Sequence, residues 1–177
     1  GEVDNTSGVD LEQASVLVTL LDEHQKTVAQ AQAPVFADLV APGARAPFAV
    51  HFAEPPASFA SYSVQAATGM RGFLGAYYRD LVARDVKGTG ERYAAYTVSG
   101  NVANTGPEDA VEVLVTVTLY DGLGRVIAAR RAAPDHNVIL RGGQTSFSIE
   151  LTPGGGPVAA YAVTALGRRM PTPTPAQ

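Results

Sequence analysis

Apolar and polar residues alternate along several short segments of the chain, most clearly between Val111 and Tyr120. One face of this segment carries Val111, Val113, Val115, Val117 and Leu119, and the other carries Glu112, Leu114, Thr116, Thr118 and Tyr120. A period of two is typical of a β-strand with one buried face, and β-branched residues favour strands. The segment therefore predicts a half-buried strand.

Similar segments, separated by turn residues, predict further strands on both sides of this one. Before it, the pattern predicts a strand over Arg79–Val86 with a turn at Lys87–Gly90, and a strand over Tyr93–Val102 with an interruption at Ser99–Gly100. After it come a turn at Asp121–Gly124, a return strand over Arg125–Ala132 and a turn at Gly142–Gly143. A strand with Phe147, Ile149 and Leu151 inward, a loop at Pro153–Pro157 and a last strand with Tyr161, Val163 and Ala165 inward complete the series. About seven short strands with regular turns are typical of an antiparallel sandwich of immunoglobulin type.

The pattern occurs twice, at a constant offset of 99 positions, as Gly1 and Gly100 show. Further matched pairs are Asn5 and Asn104, Val16 and Val115, Val18 and Val117, Leu20 and Leu119, Asp22 and Asp121, Gly43 and Gly142, Phe48 and Phe147, Tyr62 and Tyr161, and Val64 and Val163. A repeat of this length is the size of a whole small domain. The sequence therefore predicts an all-β protein of two tandem immunoglobulin-like antiparallel β-sandwiches, over residues 1–70 and 79–169, with a connector over 71–78 and a Pro-Thr tail over 170–177.

The first copy lacks a counterpart of Tyr77–Ser99, because Gly1 corresponds to a position inside a predicted strand. A missing strand leaves an unpaired edge and an open apolar face. One interpretation is that the chain is trimmed or processed, and the other is that a strand from another subunit fills the gap by β-augmentation.

Composition excludes several kinds of chemistry. The chain has no Cys, so disulfides, zinc-thiolate sites and cysteine nucleophiles are ruled out. Its net charge of -4 gives no basic footprint for nucleic acid, and no apolar run reaches the length of a membrane span. The alternating prolines of the tail favour an extended tether, with a disordered end as the alternative.

The three histidines do not form a site in the sequence. His24, His51 and His136 have Leu123, Glu150 and Ala37 as their counterparts in the other copy, and no pair has metal-ligand spacing. We therefore expect solvated surface histidines. Asp10 and Asp109 coincide in the repeat and give only a weak indication of calcium binding, which would need several converging oxygens. No catalytic motif is present, and we predict no enzyme, no cofactor and no metal.

The stretch that joins the copies is unusually apolar for a linker. Its apolar, aromatic and arginine residues are of the types enriched in interfaces, and they predict an interaction surface formed by Met70, Arg71, Phe73, Leu74, Tyr77 and Tyr78. The alternative is that the aromatic residues pack between the two copies.

The segments Val102–Gly106 and Val115–Asp121, with the later turn glycine and Phe147, resemble the FxLYD domain. The resemblance implies small immunoglobulin-like sandwiches of secreted or surface proteins of bacteria and archaea, often in tandem, without catalytic residues. Asp121 is expected to cap the turn after the strand by accepting backbone N–H groups, and Asn5 and Asn104 to act similarly near the end of the first strand.

These observations favour a non-catalytic structural or protein-interaction module of a prokaryotic cell-surface protein, located outside the cytoplasm. Its expected partners are other subunits or domains of the same surface assembly, with a homo-oligomer left open and nucleic acid excluded. One alternative is a subunit of a surface filament or envelope complex assembled by strand exchange or sheet-edge contacts. Another is an accessory carbohydrate-binding domain of a secreted enzyme, which the absence of Trp disfavours.

Overall fold

The computed structural model describes residues 1–90 and 94–170, and these form antiparallel β-sheets. The strands are β1 (Glu2–Asp4), β2 (Leu11–Leu21), β3 (Thr27–Pro34), β4 (Leu39–Val40), β5 (Arg45–Pro47), β6 (Ser61–Arg71), β7 (Tyr77–Tyr78), β8 (Leu81–Gly90), β9 (Tyr96–Asn104), β10 (Ala110–Tyr120), β11 (Val126–Ala132), β12 (Gln144–Leu151) and β13 (Ala160–Arg169). One 3₁₀ turn covers Leu74–Ala76. The predicted all-β class is confirmed, and the immunoglobulin-type assignment stays a prediction.

The chain divides into two compact units, Gly1–Gly72 and Phe73–Gln177. Arg71 ends the last strand of the first unit, and Tyr77–Tyr78 already pair with β13 of the second. Among the described residues, only Gly72–Ala76 therefore lie between the strands of the two units, a shorter connection than the predicted 71–78.

The second unit contains two sheets, ordered β11-β10-β13-β7 and β12-β9-β8. Both sheets contribute to one core: Val115, Val117 and Leu119 from β10 have no exposed surface, and Val98 and Val102 from β9 are equally buried. The alternation predicted for Phe147, Ile149 and Leu151 is confirmed, since all three are buried. Burial of apolar surface between the sheets is the main force that holds this unit together.

The first unit has the same plan with fewer strands. One sheet contains β3, β2 and β6, with β4 paired to the start of β2, and the other contains only β1 and β5. Its core is smaller, with Val16, Val18 and Leu20 of β2 packed among Val35, Val40, Ala46 and Phe48. No strand described in the structure corresponds to β7 or β8 of the second unit.

The backbone repeats in detail. Left-handed conformations occur at three matched pairs of positions, Gln13 and Glu112, Gln25 and Gly124, and Gly43 and Gly142, with φ between 50° and 74°. The first pair lies where the register of β2 and β10 shifts, which marks a bulge in both strands. Left-handed Gln and Glu are uncommon, so a shared bulge at matched positions supports a common fold for the two units.

Three of the predicted boundaries are wrong. Lys87–Gly90 do not form a turn, because they pair with β9 as part of β8. Ser99–Gly100 do not interrupt β9, because they pair with Ser148 and Phe147 of β12 within a continuous ladder. The repeat also predicts a strand over Phe48–Phe52, the counterpart of Phe147–Leu151, but β5 covers only Arg45–Pro47 and ends before these residues.

Candidate functional site

Two of the six residues of the predicted interaction surface are buried, and the other four are divided between the two units. Met70 and Arg71 end β6 of the first unit and are exposed. Phe73 and Leu74 belong to the second unit and are 71% and 46% exposed. Tyr77 and Tyr78 are buried in the second unit, so they cannot contribute to a contact surface.

The two tyrosines are buried because β7 adds them to the edge of a sheet. Arg168 and Gly167 of β13 pair with Tyr77 and Tyr78, and the guanidinium of Arg168 lies 4.1 Å from the centre of the Tyr77 ring. The Tyr78 hydroxyl donates a 2.9 Å hydrogen bond to Oδ1 of Asn104. Periodicity could not reveal this strand, since two residues are too short to show one.

Asn5 and Asn104 fix the chain after β1 and β9 in the same way. Nδ2 of Asn104 donates to the carbonyls of Glu108 and Ile139 at 2.7 and 3.0 Å, and Nδ2 of Asn5 donates to the matched carbonyls of Val9 and Val40 at 2.8 Å each. Both side chains are nearly fully buried. The predicted structural role of the two asparagines near the strand end is confirmed.

The hydrogen bonds that the side-chain oxygens of these two asparagines accept differ between the units. Oδ1 of Asn104 accepts from the Tyr78 hydroxyl and from the backbone of Gly106. In the first unit, Oδ1 of Asn5 accepts from the backbone and from Oγ of Ser7, the latter at 2.6 Å. Ser7 is the counterpart of Gly106, so its hydroxyl takes over the hydrogen bond that the tyrosine makes in the second unit.

Asp121 caps the turn that follows β10, as predicted, and Asp22 caps the turn after β2 in the same way. Oδ1 of Asp121 accepts the N–H groups of Leu123 and Arg125 at 2.9 Å each, and the Arg125 guanidinium binds Oδ2 at 2.7 Å. The pKa of Asp121 is lowered, mainly because its carboxylate accepts the backbone N–H of Arg125. Burial raises this pKa, but the Arg125 side chain and the Leu123 N–H lower it further. The Asp121 carboxylate therefore stabilises the turn between β10 and β11.

The candidate metal residues stay apart. His24, His51 and His136 are all exposed, and Oδ1 of Asp109 accepts the backbone N–H of Arg141 at 2.8 Å. Within residues 1–90 and 94–170, no three His, Asp or Glu side chains come close enough to hold a metal ion together. The same ranges contain no helix of the length and hydrophobicity that would span a membrane.

The first unit leaves part of one sheet uncovered on its inner side. Tyr62, Val64 and Ala66 of β6 stand directly opposite Leu20, Val18 and Val16, which are core residues of β2. Directly paired residues point to the same face of a sheet, so these three side chains face the interior. Yet Tyr62 is 67% exposed, Val64 is 40% exposed, and Ala66 is exposed as well.

The second unit shows what normally covers this face. The matched residues Tyr161, Val163 and Ala165 pack against the core, as does Val158, the counterpart of Phe59. Strand β8 lies against β13 there, and the Tyr161 hydroxyl donates to the Val86 carbonyl at 3.3 Å. The first unit has no such strand in its described residues, and Phe59 is 53% exposed. We call the set Phe59, Tyr62, Val64 and Ala66 the open face.

A second depression lies in the second unit, between the start of β10 and the end of β13. It is lined by charged residues that already interact, since Arg169 and Glu108 form a 2.6 Å ion pair and Arg168 stacks on Tyr77. The open face is therefore the stronger candidate, because apolar side chains on the inner side of a sheet are exposed there without a covering layer.

Sequence reasoning located this site only indirectly. The missing counterpart of Tyr77–Ser99 predicted an open apolar face in the first copy, and that prediction is confirmed. Tyr62, Val64 and Ala66 were predicted as inward residues, because their alternation is the same as in the second copy, and no prediction was made for Phe59. Only the absent covering strand distinguishes Tyr62 from Tyr161.

Comparison with known proteins adds no relative. No family model, curated protein sequence or solved structure gives a significant match to this chain, and the resemblance to the FxLYD domain stays a prediction.

Proposed function

We propose that this chain is a non-catalytic structural and protein-interaction module of a prokaryotic cell-surface protein, and that it acts outside the cytoplasm. The observation that carries the proposal is the open face of the first unit. Apolar side chains that point to the inner side of a sheet and remain exposed are expected to be covered in the working protein, since their burial is favourable by about 1.5–3 kcal/mol for each large side chain.

The polar residues that recur in both units support a structural role. Asn5, Asn104, Asp22 and Asp121 each use their side-chain oxygens or amides on backbone groups of nearby turns. A residue committed in this way shapes the loops and stabilises the sandwich. The resemblance to the FxLYD domain supports the surface location and the immunoglobulin-like assignment.

A second candidate function is a subunit of a filament or envelope complex assembled by strand exchange or sheet-edge contacts. It is favoured by the position of β1, which has β5 as its one neighbour among the described strands. A strand at the edge of a sheet, beside an exposed apolar face, is the arrangement that strand addition requires.

Site-specific photo-crosslinking in intact producing cells tests the proposed function. A photoreactive residue at Tyr62 should give a discrete protein adduct, whereas the same residue at Tyr161 should not. Leu123, which is 79% exposed on a turn, is the control for mere exposure. Biotinylation of the intact cells reports the location. Equal adducts at positions 62 and 123, or protection of the chain from the external reagent, would contradict the proposal.

A further inference from the structure

The depression between the start of β10 and the end of β13 contains two charged side chains that the fold does not pair. It has a volume of about 670 Å³, which is within the range of small-molecule sites, and all the residues that line it belong to the second unit. Glu108 and Arg169 form an ion pair there. The side chains of Glu112 and Arg168 also line the depression, and neither makes a hydrogen bond or an ion pair with another described residue. An unpaired anion and an unpaired cation therefore line one cavity.

Arg168 is held in place without the use of its N–H groups. Its guanidinium lies over the Tyr77 ring, 4.1 Å from the ring centre, and Tyr77 is only 4% exposed. The two residues also pair directly between β13 and β7, so the backbone fixes the contact. A guanidinium that lies on a ring face is held by a cation–π interaction. Its N–H groups remain available for the two oxygens of a carboxylate.

A bulge in β10 brings Glu112 to the same depression. The register between β10 and β13 shifts after Val111, which pairs with Arg168, and Glu112 has a left-handed φ of 50°. Bulges redirect side chains and are frequent beside functional sites. Glutamate is unfavourable in this conformation, whereas glycine adopts it freely. The position therefore presents an unpaired carboxylate at a cost to the stability of the fold.

The first unit shows that the sandwich does not require these charges. Gln13, the counterpart of Glu112, lies at the same bulge with a φ of 53°. At the offset of 99, the four charged residues Glu108, Glu112, Arg168 and Arg169 correspond to Val9, Gln13, Gly69 and Met70. The two arginines also contact the tyrosines of β7, a strand without a described counterpart in the first unit. Contact with β7 explains why the arginines stack, but it does not explain the carboxylate at position 112.

The two unpaired charges fit a ligand that carries both signs. A carboxylate can accept two N–H groups from the Arg168 guanidinium, which is a strong and directional arrangement. An ammonium group can donate to Glu112, whereas a plain anion or a plain cation would leave one of the two side chains unpaired. Ala76, Val111 and Met170 add apolar surface to the depression, which suits a ligand with an apolar side chain.

We propose that this depression binds a small zwitterion with an apolar side chain, either a free amino acid or a short peptide. Its carboxylate binds Arg168 and its ammonium group binds Glu112. The site lies in the second unit and does not involve the open face, so the proposal goes beyond the proposed function and stands or falls separately from it.

The test is titration of the full chain with L-leucine and with leucyl-leucine, followed by calorimetry and by the amide resonances in NMR. We expect saturable binding that shifts the resonances of β10 and β13, and the tighter of the two probes distinguishes a free amino acid from a peptide. N-acetyl-leucine lacks the ammonium group and leucinamide lacks the carboxylate. Each should bind about 10- to 100-fold more weakly than leucine, because each leaves one charged side chain without its hydrogen-bonding partner.

Variants of the two charged residues should remove these preferences one at a time. Glu112→Gln should abolish the preference for leucine over N-acetyl-leucine, and Arg168→Gln should abolish the preference for leucine over leucinamide. Glu150→Gln and Lys87→Gln are the matched controls, since both side chains are exposed on the other sheet of this unit, and they should leave binding unchanged. Glu112→Gly should weaken leucine binding and raise Tm, because glycine relieves the left-handed backbone.

Three results would overturn the proposal. The first is no saturable binding of leucine or leucyl-leucine at millimolar concentration. The second is equal affinity for leucine and N-acetyl-leucine, which would mean that the depression binds plain anions. The third is unchanged affinity in both Glu112→Gln and Arg168→Gln, which would place the bound probe elsewhere on the chain.

Discussion

The four hydrogen bonds of the Asn104 side chain should contribute strongly to the stability of the second unit, and the variant Asn104→Ala tests this. The side chain of Asn104 is 2% exposed and makes four hydrogen bonds, of which two are donated to carbonyls and two are accepted from Tyr78 and Gly106. Each bond contributes about 1 kcal/mol net, and a buried group left unpaired costs about 1–3 kcal/mol. The variant should therefore lose about 4 kcal/mol of unfolding free energy, or about 20 °C in Tm.

Asn5→Ala provides the matched comparison. Its loss should be smaller, by about 1 kcal/mol, because the Ser7 hydroxyl that loses its acceptor is exposed and can bind water, whereas Tyr78 has no exposed surface. Asn137→Ala, at an exposed loop position, is the control and should be neutral.

The assay is urea unfolding with pulsed hydrogen exchange read by mass spectrometry, since peptides from residues 1–72 and 73–170 report each unit separately. We expect Asn104→Ala to lower the transition of the second unit and to leave that of the first within about 0.5 kcal/mol. A loss below about 1 kcal/mol, or equal losses from Asn104→Ala and Asn137→Ala, would refute the reasoning.

Three further predictions concern the second unit. Val117→Asp buries an unpaired charge in the core and should abolish its cooperative unfolding transition in calorimetry, so an unchanged melt would contradict the packing. Gly106→Ser should destabilise the unit because its Cβ collides with the Tyr78 hydroxyl. Adding Tyr78→Phe should restore part of the lost unfolding free energy in denaturant titration, and additive losses would contradict this contact. Because the folded pKa of Asp121 is lowered, the stability that its carboxylate contributes is fully present above the unfolded pKa of about 4 and is lost as pH falls through the folded value. Urea titrations between about pH 6 and 2 should show a steeper loss in the wild type than in Asp121→Asn, and parallel curves would contradict it.

The strands with strict alternation could be predicted from the sequence. Val111–Tyr120 was predicted within one residue of β10, because inward and outward residues separate cleanly along it. The repeat predicts a strand at β2 as well, and Asp121 makes the predicted cap, with Asp22 making the same contact at the matched position. Local pattern and turn chemistry agree at these positions, which is why reasoning from sequence works there.

The errors arose where pairing partners, which the local sequence does not show, determine the structure. Lys87–Gly90 looks like a turn, yet β9 holds it extended. Phe48–Phe52 alternates like a strand, yet no described strand pairs with Ala49–Phe52 and β5 ends at Pro47. Tyr77 and Tyr78 belong to an edge strand too short to show a period. The missing counterpart of a strand allowed the open face to be inferred. The local pattern of its residues is the same as that of core residues, so the sequence could not distinguish the two.

The most direct test of the account adds the absent strand to the chain itself. Placing the sequence of residues 81–99 directly ahead of Gly1 reproduces the register of the second unit, and the unfolding free energy of residues 1–72 is then measured by hydrogen exchange. The account predicts a rise of about 3 kcal/mol as Tyr62 and Val64 become buried, and no rise when the added segment carries aspartate at the position of Val86. An unchanged first unit, with β1 and β6 exchanging as before, would contradict the claim that it is the same domain without the strand that corresponds to β8.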